Sequence, residues 1–389
     1  MKKKDLLNAC LACTTCAGIV ISGGCGAITN NNNKAEASVL GQFPVRLVAD
    51  AVWEYMQSPD DMAISELQAS LGYTRQDRFD MGKAVQFAFT FQTENDVFIK
   101  SSSINISEKA DLSNAVSYPV SARLGQVDVY NLKTGTKYYY QISARLSNNS
   151  WLRSSVYEFT TADGPRFMYV DGASNVRDIG GWNSTLGGKI KQGVLYRGSE
   201  IDGKKNKNVE GFCVTDTGIE TMLTTMGIQS DFDLRNPYEL GINPNDFGIL
   251  GSNVQRTFLP SGYYEQILNA PETLKTVFTA FANPDAYPAY LHCTHGVDRA
   301  GTMTLILEAL LGVDKADLIR DYELSNFFYP EDKVDRNYDR NGGDIMTLIS
   351  KLETDYEGAT LADKTADMLQ KAGVTQAQID TIRSIFIAK

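Results

Sequence analysis

The sequence predicts an α/β domain with a mainly parallel sheet flanked by helices, preceded by an N-terminal β-sandwich domain. Three observations lead there. From Arg166 onward, apolar runs alternate with stretches of helical spacing, the pattern of strands and helices in turn. Ahead of that point the period is two: Val85-Gln86-Phe87-Ala88-Phe89-Thr90-Phe91 alternates strictly, and further short strand-like runs follow. Finally, the apolar residues 287–291 pass through His292-Cys293-Thr294-His295-Gly296-Val297-Asp298-Arg299-Ala300-Gly301-Thr302 into a second apolar run, residues 303–311. Read physically, that is a buried strand, a glycine-containing loop and a buried helix.

At 389 residues the chain has room for two or three domains. A hydrophobic content of 43% and a charged content of 22% are ordinary for globular protein. The net charge of −10 disfavours nucleic acid and anionic membranes as general partners. Lys2, Lys3 and Lys4, followed by mostly apolar residues 6–21, predict a signal peptide over residues 1–24. Asn8 and several Cys and Thr interrupt this core, which argues against a membrane span. Ser22-Gly23-Gly24-Cys25 resembles a bacterial lipoprotein processing site. The resemblance implies lipidation at Cys25, membrane attachment, and export to the bacterial cell envelope, periplasmic or surface. An ordinary cleavage at Ala35-Glu36-Ala37 is the alternative. Residues 25–40, with their asparagine run, read as a tether. Only Cys213 and Cys293 remain in the body of the chain, so no disulfide framework is expected.

Residues 41–78 predict a short helical segment: 49–57 and 60–71 carry helical spacing, and Gly72 ends the second run. The strand-like region spans residues 79–163. Within it, Leu132-Lys133-Thr134-Gly135-Thr136-Lys137-Tyr138 resembles the tyrosine corner of fibronectin type III sandwiches, with Tyr138 as the corner residue. Such a module binds protein or glycan, or acts as a spacer that lifts the rest of the chain from a membrane. Asp163-Gly164-Pro165 marks the boundary to the last domain, 164–389.

The loop after residue 291 carries the chemistry. A glycine-containing loop that opens a helix aims backbone N–H groups at one spot, and the helix end adds positive potential, so an anion is cradled there. Cys293 lies at its mouth, where amides, helix end and Arg299 all favour the thiolate. Five residues separate Cys293 from Arg299, one tight loop, which lets the guanidinium close on the anion bidentately. His292, Cys293 and His295 make a poor metal set, since the chain has only two histidines and no second ligand pair. No metal and no cofactor are expected.

This stretch resembles the Cys-x5-Arg signature of the protein tyrosine phosphatase superfamily. Further motifs resemble its bacterial tyrosine/lipid phosphatase branch, in the same order: Asn175-Val176-Arg177-Asp178-Ile179-Gly180-Gly181, Leu195-Tyr196-Arg197-Gly198-Ser199, Asp231-Phe232-Asp233-Leu234-Arg235, and Asp321-Tyr322-Glu323-Leu324-Ser325-Asn326. The resemblance implies a tyrosine-phosphatase-like fold and a cysteine-dependent phosphomonoesterase, which the leader described above makes an exported one. Cys293 would be the nucleophile, Arg299 the clamp and Asp298 the acid, with Asp178 and Asp246 as alternative acids. Thr294, His295, Gly296, Val297, Ala300, Gly301, Asp178 and Arg197 would bind substrate. Implied partners are a phosphorylated protein, phosphotyrosine first, or a small phosphomonoester. Phosphoinositide or inositol phosphate hydrolysis is the alternative, as is a catalytically weak phospho-binding or adhesion protein. Two positions depart from the pattern: Ala300 replaces a hydroxyl residue common after the loop arginine, and Val297 stands where lipid-active members carry Lys. Lys189, Lys191, Lys204, Lys205 and Lys207 form a local positive run, a solvated face or a steering patch beside the mouth.

Overall fold

The computed structural model of the chain describes residues 33–72, 79–203, 212–238, 241, 243–328, 336 and 343–388. The expected signal peptide, Cys25, the first part of the tether, and Lys204, Lys205 and Lys207 lie outside them. No helix among the described residues is long and apolar enough to cross a membrane.

The N-terminal unit begins with β1 (Lys34–Val39). Two short helices follow, α1 (Asp50–Met56) and α2 (Ile64–Leu71), before the chain returns to strands. These are β2 (Val85–Gln92), β3 (Ile99–Ser107), β4 (Val116–Val120), β5 (Gln126–Val129), β6 (Lys137–Leu146), β7 (Trp151–Arg153) and β8 (Tyr157–Thr160). They form two antiparallel sheets, β1-β2-β5 and β4-β3-β6-β7, with β8 also on β6. The period-two pattern of β2 buries Val85, Phe87 and Phe89 on one face. Phe87 meets Tyr140 and Phe159 of the other sheet edge-on, at 5.0 and 5.6 Å between centroids, so the inner faces of the two sheets share a core. The hydroxyl of Tyr138 accepts a hydrogen bond from the Lys133 amide at 2.9 Å, pinning the connection that enters β6.

Helices α1 and α2 lie between β1 and β2 in sequence but not in packing. Val52, Tyr55 and Ile64 are buried in the core of the C-terminal unit. This places them with the last domain in space, although the chain must cross to the first domain on either side.

The C-terminal unit contains β9 (Arg166–Phe167), β10 (Arg177–Asp178), β11 (Leu195–Gly198), α3 (Asp216–Glu220), β12 (Ser230–Asp233), β13 (Gln255–Phe258), α4 (Pro271–Phe281), β14 (Ala289–His292) and α5 (Asp298–Leu310). It closes with α6 (Lys315–Glu323), α7 (Ile345–Asp355), α8 (Leu361–Lys371) and α9 (Gln376–Phe386). One six-stranded sheet has the order β13-β12-β14-β11-β10-β9. Its β13-β12-β14-β11 core is parallel, whereas β10 pairs antiparallel with both β11 and β9. The expectation of a mainly parallel sheet in the last domain thus holds for β13, β12, β14 and β11, whereas β10 and β9 pair antiparallel, as do all strands of the N-terminal sheets. The reason is connection chemistry: parallel neighbours need a long crossover, usually a helix, and no helix joins β9, β10 and β11. Helix α5 is buried along nearly its whole length, from Ala300 to Leu310, which fits its near-continuous apolar run.

Arg320 of α6 ties the α1–α2 segment down. It donates to the carbonyls of Met56 and Ser58 at 2.7 and 2.8 Å and pairs with Asp60 at 2.6 Å. Tyr55 donates its hydroxyl to the buried Glu323 at the end of the same helix. Arg320→Ala should therefore destabilise the C-terminal unit by about 2–3 kcal/mol, since two shielded carbonyls lose a charged donor. Urea denaturation checks this; a loss of only a few tenths of a kcal/mol would mean the segment is not held by this contact.

Candidate active site

Strand β14 ends at His292, and α5 begins at Asp298, so the intervening loop is set by one parallel strand and one buried helix. Gly296 has φ +73°, and a Cβ there would stand 2.4 Å from the Gly198 carbonyl carbon at the end of β11. Only glycine satisfies both limits. The first intrahelical bond of α5 runs from the Gly301 amide to the Val297 carbonyl at 2.9 Å, and no side chain caps the helix. The amides ahead of Gly301 are therefore not used by the helix ladder.

The loop carbonyls show which way those amides point. Thr294 O accepts from the Glu200 amide at 3.0 Å, His295 O from Asn175 Nδ2 at 3.2 Å, and Gly296 O from Arg197 Nη2 at 2.9 Å. All three acceptors are held from the side of β10 and β11. In a trans peptide the N–H points opposite the C=O, so the amides of His295, Gly296 and Val297 face away from those partners. An anion in front of the loop would meet them.

The braces are themselves braced. Arg197 is fully buried and pairs with Asp321 at 2.7 Å, and Arg177 reaches the same carboxyl at 3.0 Å. Arg177 also donates to Asn175 Oδ1 at 2.5 Å, which aims the amide of Asn175 at the loop. Burial works against the charged form of Asp321, but Arg177 and Arg197 outweigh it and hold the carboxyl below its usual range.

Cys293 is buried at the foot of the loop, 2% exposed, next to the fully buried His292. His292 has acceptors on both ring nitrogens: Nδ1 lies 3.2 Å from Cys293 O, and Nε2 lies 2.9 Å from Asp231 Oδ1, a charge contact off the ideal hydrogen-bond line. Burial opposes a charge here, yet the Asp233 and Asp231 carboxylates hold the imidazole above its ordinary value. Asp233 also binds Arg235 and Arg256, at 2.7 and 2.6 Å. The Asp233–Arg235 pair is thus an internal support of the strand end. Arg299 sits half-buried at the rim, with long contacts of 3.4 Å to Leu234 O and Thr294 Oγ1. Asp298 is beside it in the first turn of α5. Its Oδ1 accepts from the Tyr264 hydroxyl at 2.5 Å, and that hydroxyl also meets Tyr322 at 2.9 Å.

Several expected site residues have other placements. Asp178 is buried and binds Arg166 at 2.8 Å together with the Gly180 and Gly193 amides, so it supports the junction of the two units rather than the loop. Arg197 touches the loop from behind, not from the ligand side. The side chains of Val297 and Ala300 are fully buried, leaving only their backbone to an anion. Gly301 has its amide spent in the helix. Its missing Cβ instead makes room for Arg197 Nη2, which would stand 2.9 Å from one. Thr302 cannot replace the hydroxyl missing at Ala300, because its Oγ1 is engaged by the Tyr264 amide at 2.7 Å and by Asp298 O at 2.8 Å. Asp246 lies near Ser230 and Gln255, at the starting ends of β12 and β13, away from the loop. Lys189 pairs with Asp163, and Lys191 binds the Ser384 and Ile385 carbonyls. Tyr264 and Glu200 carry no signal in the sequence, and Asn175 appears there only as the first residue of a motif, without a role at the loop. What they do depends on contacts over long sequence separations.

Two outcomes are expected from this geometry. Gly296→Ala should weaken inorganic phosphate binding by at least about tenfold, since an αL alanine pressed against Gly198 carries strain of one or more kcal/mol. Calorimetric titration reads it, and unchanged affinity would show that the loop tolerates a Cβ. Asp321→Asn should cost about 3 kcal/mol at neutral pH, as it leaves buried arginines short of a counter-charge. Because the folded-state pKa of Asp321 is depressed, its contribution is full above the unfolded value near ~4 and vanishes as pH falls through the folded value. Thermal unfolding should thus be less acid-sensitive in the variant than in the wild type; parallel pH profiles would contradict this.

Comparison with known proteins bears on the C-terminal unit. Residues 168–388, more than half of the chain, match the model of the tyrosine phosphatase family. A protein of Cupriavidus necator, provisionally named a tyrosine-protein phosphatase, is 25% identical over 189 residues. The match covers 43% of this chain and 65% of that relative's length. Among solved structures, the core catalytic domain of the PP-IP phosphatase SIW14 from S. cerevisiae, crystallised with citrate, overlaps at a TM-score of 0.26 and 14% identity. That overlap covers 36% of this chain and 77% of the other. A polysaccharide deacetylase from Bacillus cereus overlaps at 0.19 and 10% identity, over 67% of this chain and 59% of that one. Overlaps this loose carry no argument. On the family match, the chain belongs to the tyrosine phosphatase family.

Proposed function

We propose that this chain hydrolyses phosphomonoesters, phosphotyrosine above all, through a cysteinyl-phosphate intermediate. The observation that carries the reading is the loop itself: a cysteine at the foot of an uncapped helix end, with its carbonyls bound from behind and Arg299 at the rim. The Cys293 thiolate attacks phosphorus in line, and the bond from phosphorus to the ester oxygen breaks. Loop amides and Arg299 hold the equatorial oxygens. Asp298, whose carboxyl is oriented by the Tyr264 hydroxyl, gives its proton to the leaving oxygen. Water then attacks the cysteinyl phosphate and returns a proton to Asp298, releasing inorganic phosphate and the thiolate.

Two features support an aryl over an inositol substrate. Val297 is fully buried, so no cation from that position can meet a second phosphate. Lys189 and Lys191 are occupied elsewhere. The N-terminal unit suits a fibronectin type III-like spacer, on the strength of its two packed sheets and the Tyr138–Lys133 hydrogen bond. Together with the lipoprotein-like Cys25, this reading places the enzyme on an envelope surface, tethered by its N-terminus.

Cys293→Ser should abolish turnover of an aryl phosphate that the wild type hydrolyses in the presence of chelator. Phosphopeptide binding by a wild type without turnover would instead indicate a reader of phosphate. Asp298→Asn should slow esters with poor leaving groups by about 10²-fold or more while sparing activated ones; equal slowing of both removes Asp298 as the acid. With Ala300 and an engaged Thr302 offering no hydroxyl to the sulfur, breakdown of the intermediate should limit the rate. Rapid mixing should then show a burst of one leaving group per active site.

A further inference from the structure

Helix α5 carries one carboxyl that the proposed reaction does not use. Glu308 is fully buried, and neither of its oxygens accepts a hydrogen bond from the described residues. It lies two helical turns beyond Gly301, on the same face of α5. That face is where the absence of a Cβ admits the Arg197 guanidinium. The charged groups acting on Glu308 are Asp321 and Asp317 from α6, Arg197 from β11 and Arg177 from β10. The Nε of Arg197 has no acceptor either. Carboxyl and guanidinium are thus neighbours within one buried cluster without making the hydrogen-bonded pair that an ionised glutamate would form. An unpaired buried carboxylate is costly, whereas a neutral acid tolerates the same position far better. Burial and the nearby Asp321 carboxylate both push this carboxyl well above its ordinary value.

We propose that Glu308 is a neutral acid that sets the charge behind the phosphate loop. Uncharged, it leaves Arg177 and Arg197 with Asp321 as the one carboxylate that pairs with them among the described residues. The positive charge this leaves over stands directly behind the Gly296 carbonyl that Arg197 holds, where it acts on the Cys293 thiolate and on an anion in the loop. Glu308 touches no reacting atom; it is a positioning residue acting through Arg197. The inference rests on the reading that the loop binds phosphate. Within it, the arginine pair does more than fix the loop's shape, for it supplies a field that favours a dianion over water. Once rising pH ionises Glu308, the excess is cancelled and the site weakened.

The test uses the full chain and Glu308→Gln, which copies the neutral acid in shape and charge. Infrared difference spectra at neutral pH should show a protonated-carboxyl stretch in the wild type that shifts with isotopically labelled glutamate and is missing from the variant. Calorimetric titration with inorganic phosphate should give matching affinities at neutral pH. On raising the pH, the wild type should fall about tenfold behind the variant, as one added buried charge requires. A carboxylate band instead, with phosphate bound about tenfold more tightly by the variant already at neutral pH, overturns the proposal. So does a protonated band with identical phosphate affinities across the alkaline range, because the charge then fails to reach the loop. Should the variant not fold, the wild-type infrared titration alone decides the protonation state. Neither measurement needs turnover: a chain that passes both yet hydrolyses no aryl phosphate keeps this inference and loses the hydrolase reading.

Discussion

The backward-facing carbonyls of Thr294, His295 and Gly296 are the constraint on which the rest of the structure depends. A peptide cannot turn its N–H toward an anion without turning its C=O the other way, and a buried C=O must be met. Here the meeting groups are a backbone amide, an asparagine and an arginine, drawn from the ends and flanks of β10 and β11. The antiparallel addition of β10 to a parallel core therefore has a purpose in the site. It brings Arg177 and Asn175 close enough to brace a loop that lies more than a hundred residues later in the chain.

Arginine in such a place brings its own demand. Two guanidiniums in the interior need a counter-charge, and Asp321 provides it from α6. The same helix ends at Glu323, which takes the Tyr55 hydroxyl, and it carries Arg320, which holds the Met56 and Ser58 carbonyls. One helix thus links the loop's braces to the α1–α2 segment that the chain inserts between two strands of the first unit. That segment adds Val52, Tyr55 and Ile64 to the core of the C-terminal unit, which gives a physical reason for so short a helical insertion to sit away from its sequence neighbours.

The ligand side of the loop is built more loosely than its back. Among the described residues Arg299 has hydrogen-bond contacts of 3.4 Å alone, whereas Arg197 is held by bonds of 2.7 and 2.9 Å. Such a difference suits the two tasks. The rear arginine preserves a shape, while in the reaction proposed above the front one closes on an oxyanion. Tyr264 joins the two sides, since its amide and hydroxyl address Thr302 and Asp298 on the first turn of α5.

The sequence by itself determined the strand–loop–helix of residues 287–311, and with it the placing of Cys293 and Arg299 at the two ends of one loop, because each depends on neighbours within eleven residues. Local spacing also sufficed for β2, β5 and β6 and for the helical spacing of α1 and α2, but not for β1, which lies within the residues read as a tether, nor for β4. Only the tertiary structure decided that Arg197 supports rather than binds, that Asp178 serves the junction, that Val297 is buried, and that Thr302 is engaged. Each of those placements turns on a partner brought from elsewhere in the fold, and a motif specifies the kind of side chain while leaving open what stands across from it. The direction of β10 was likewise undecided from composition, since a two-residue strand has no periodicity to read. Its orientation comes from the chain turning back without a helix.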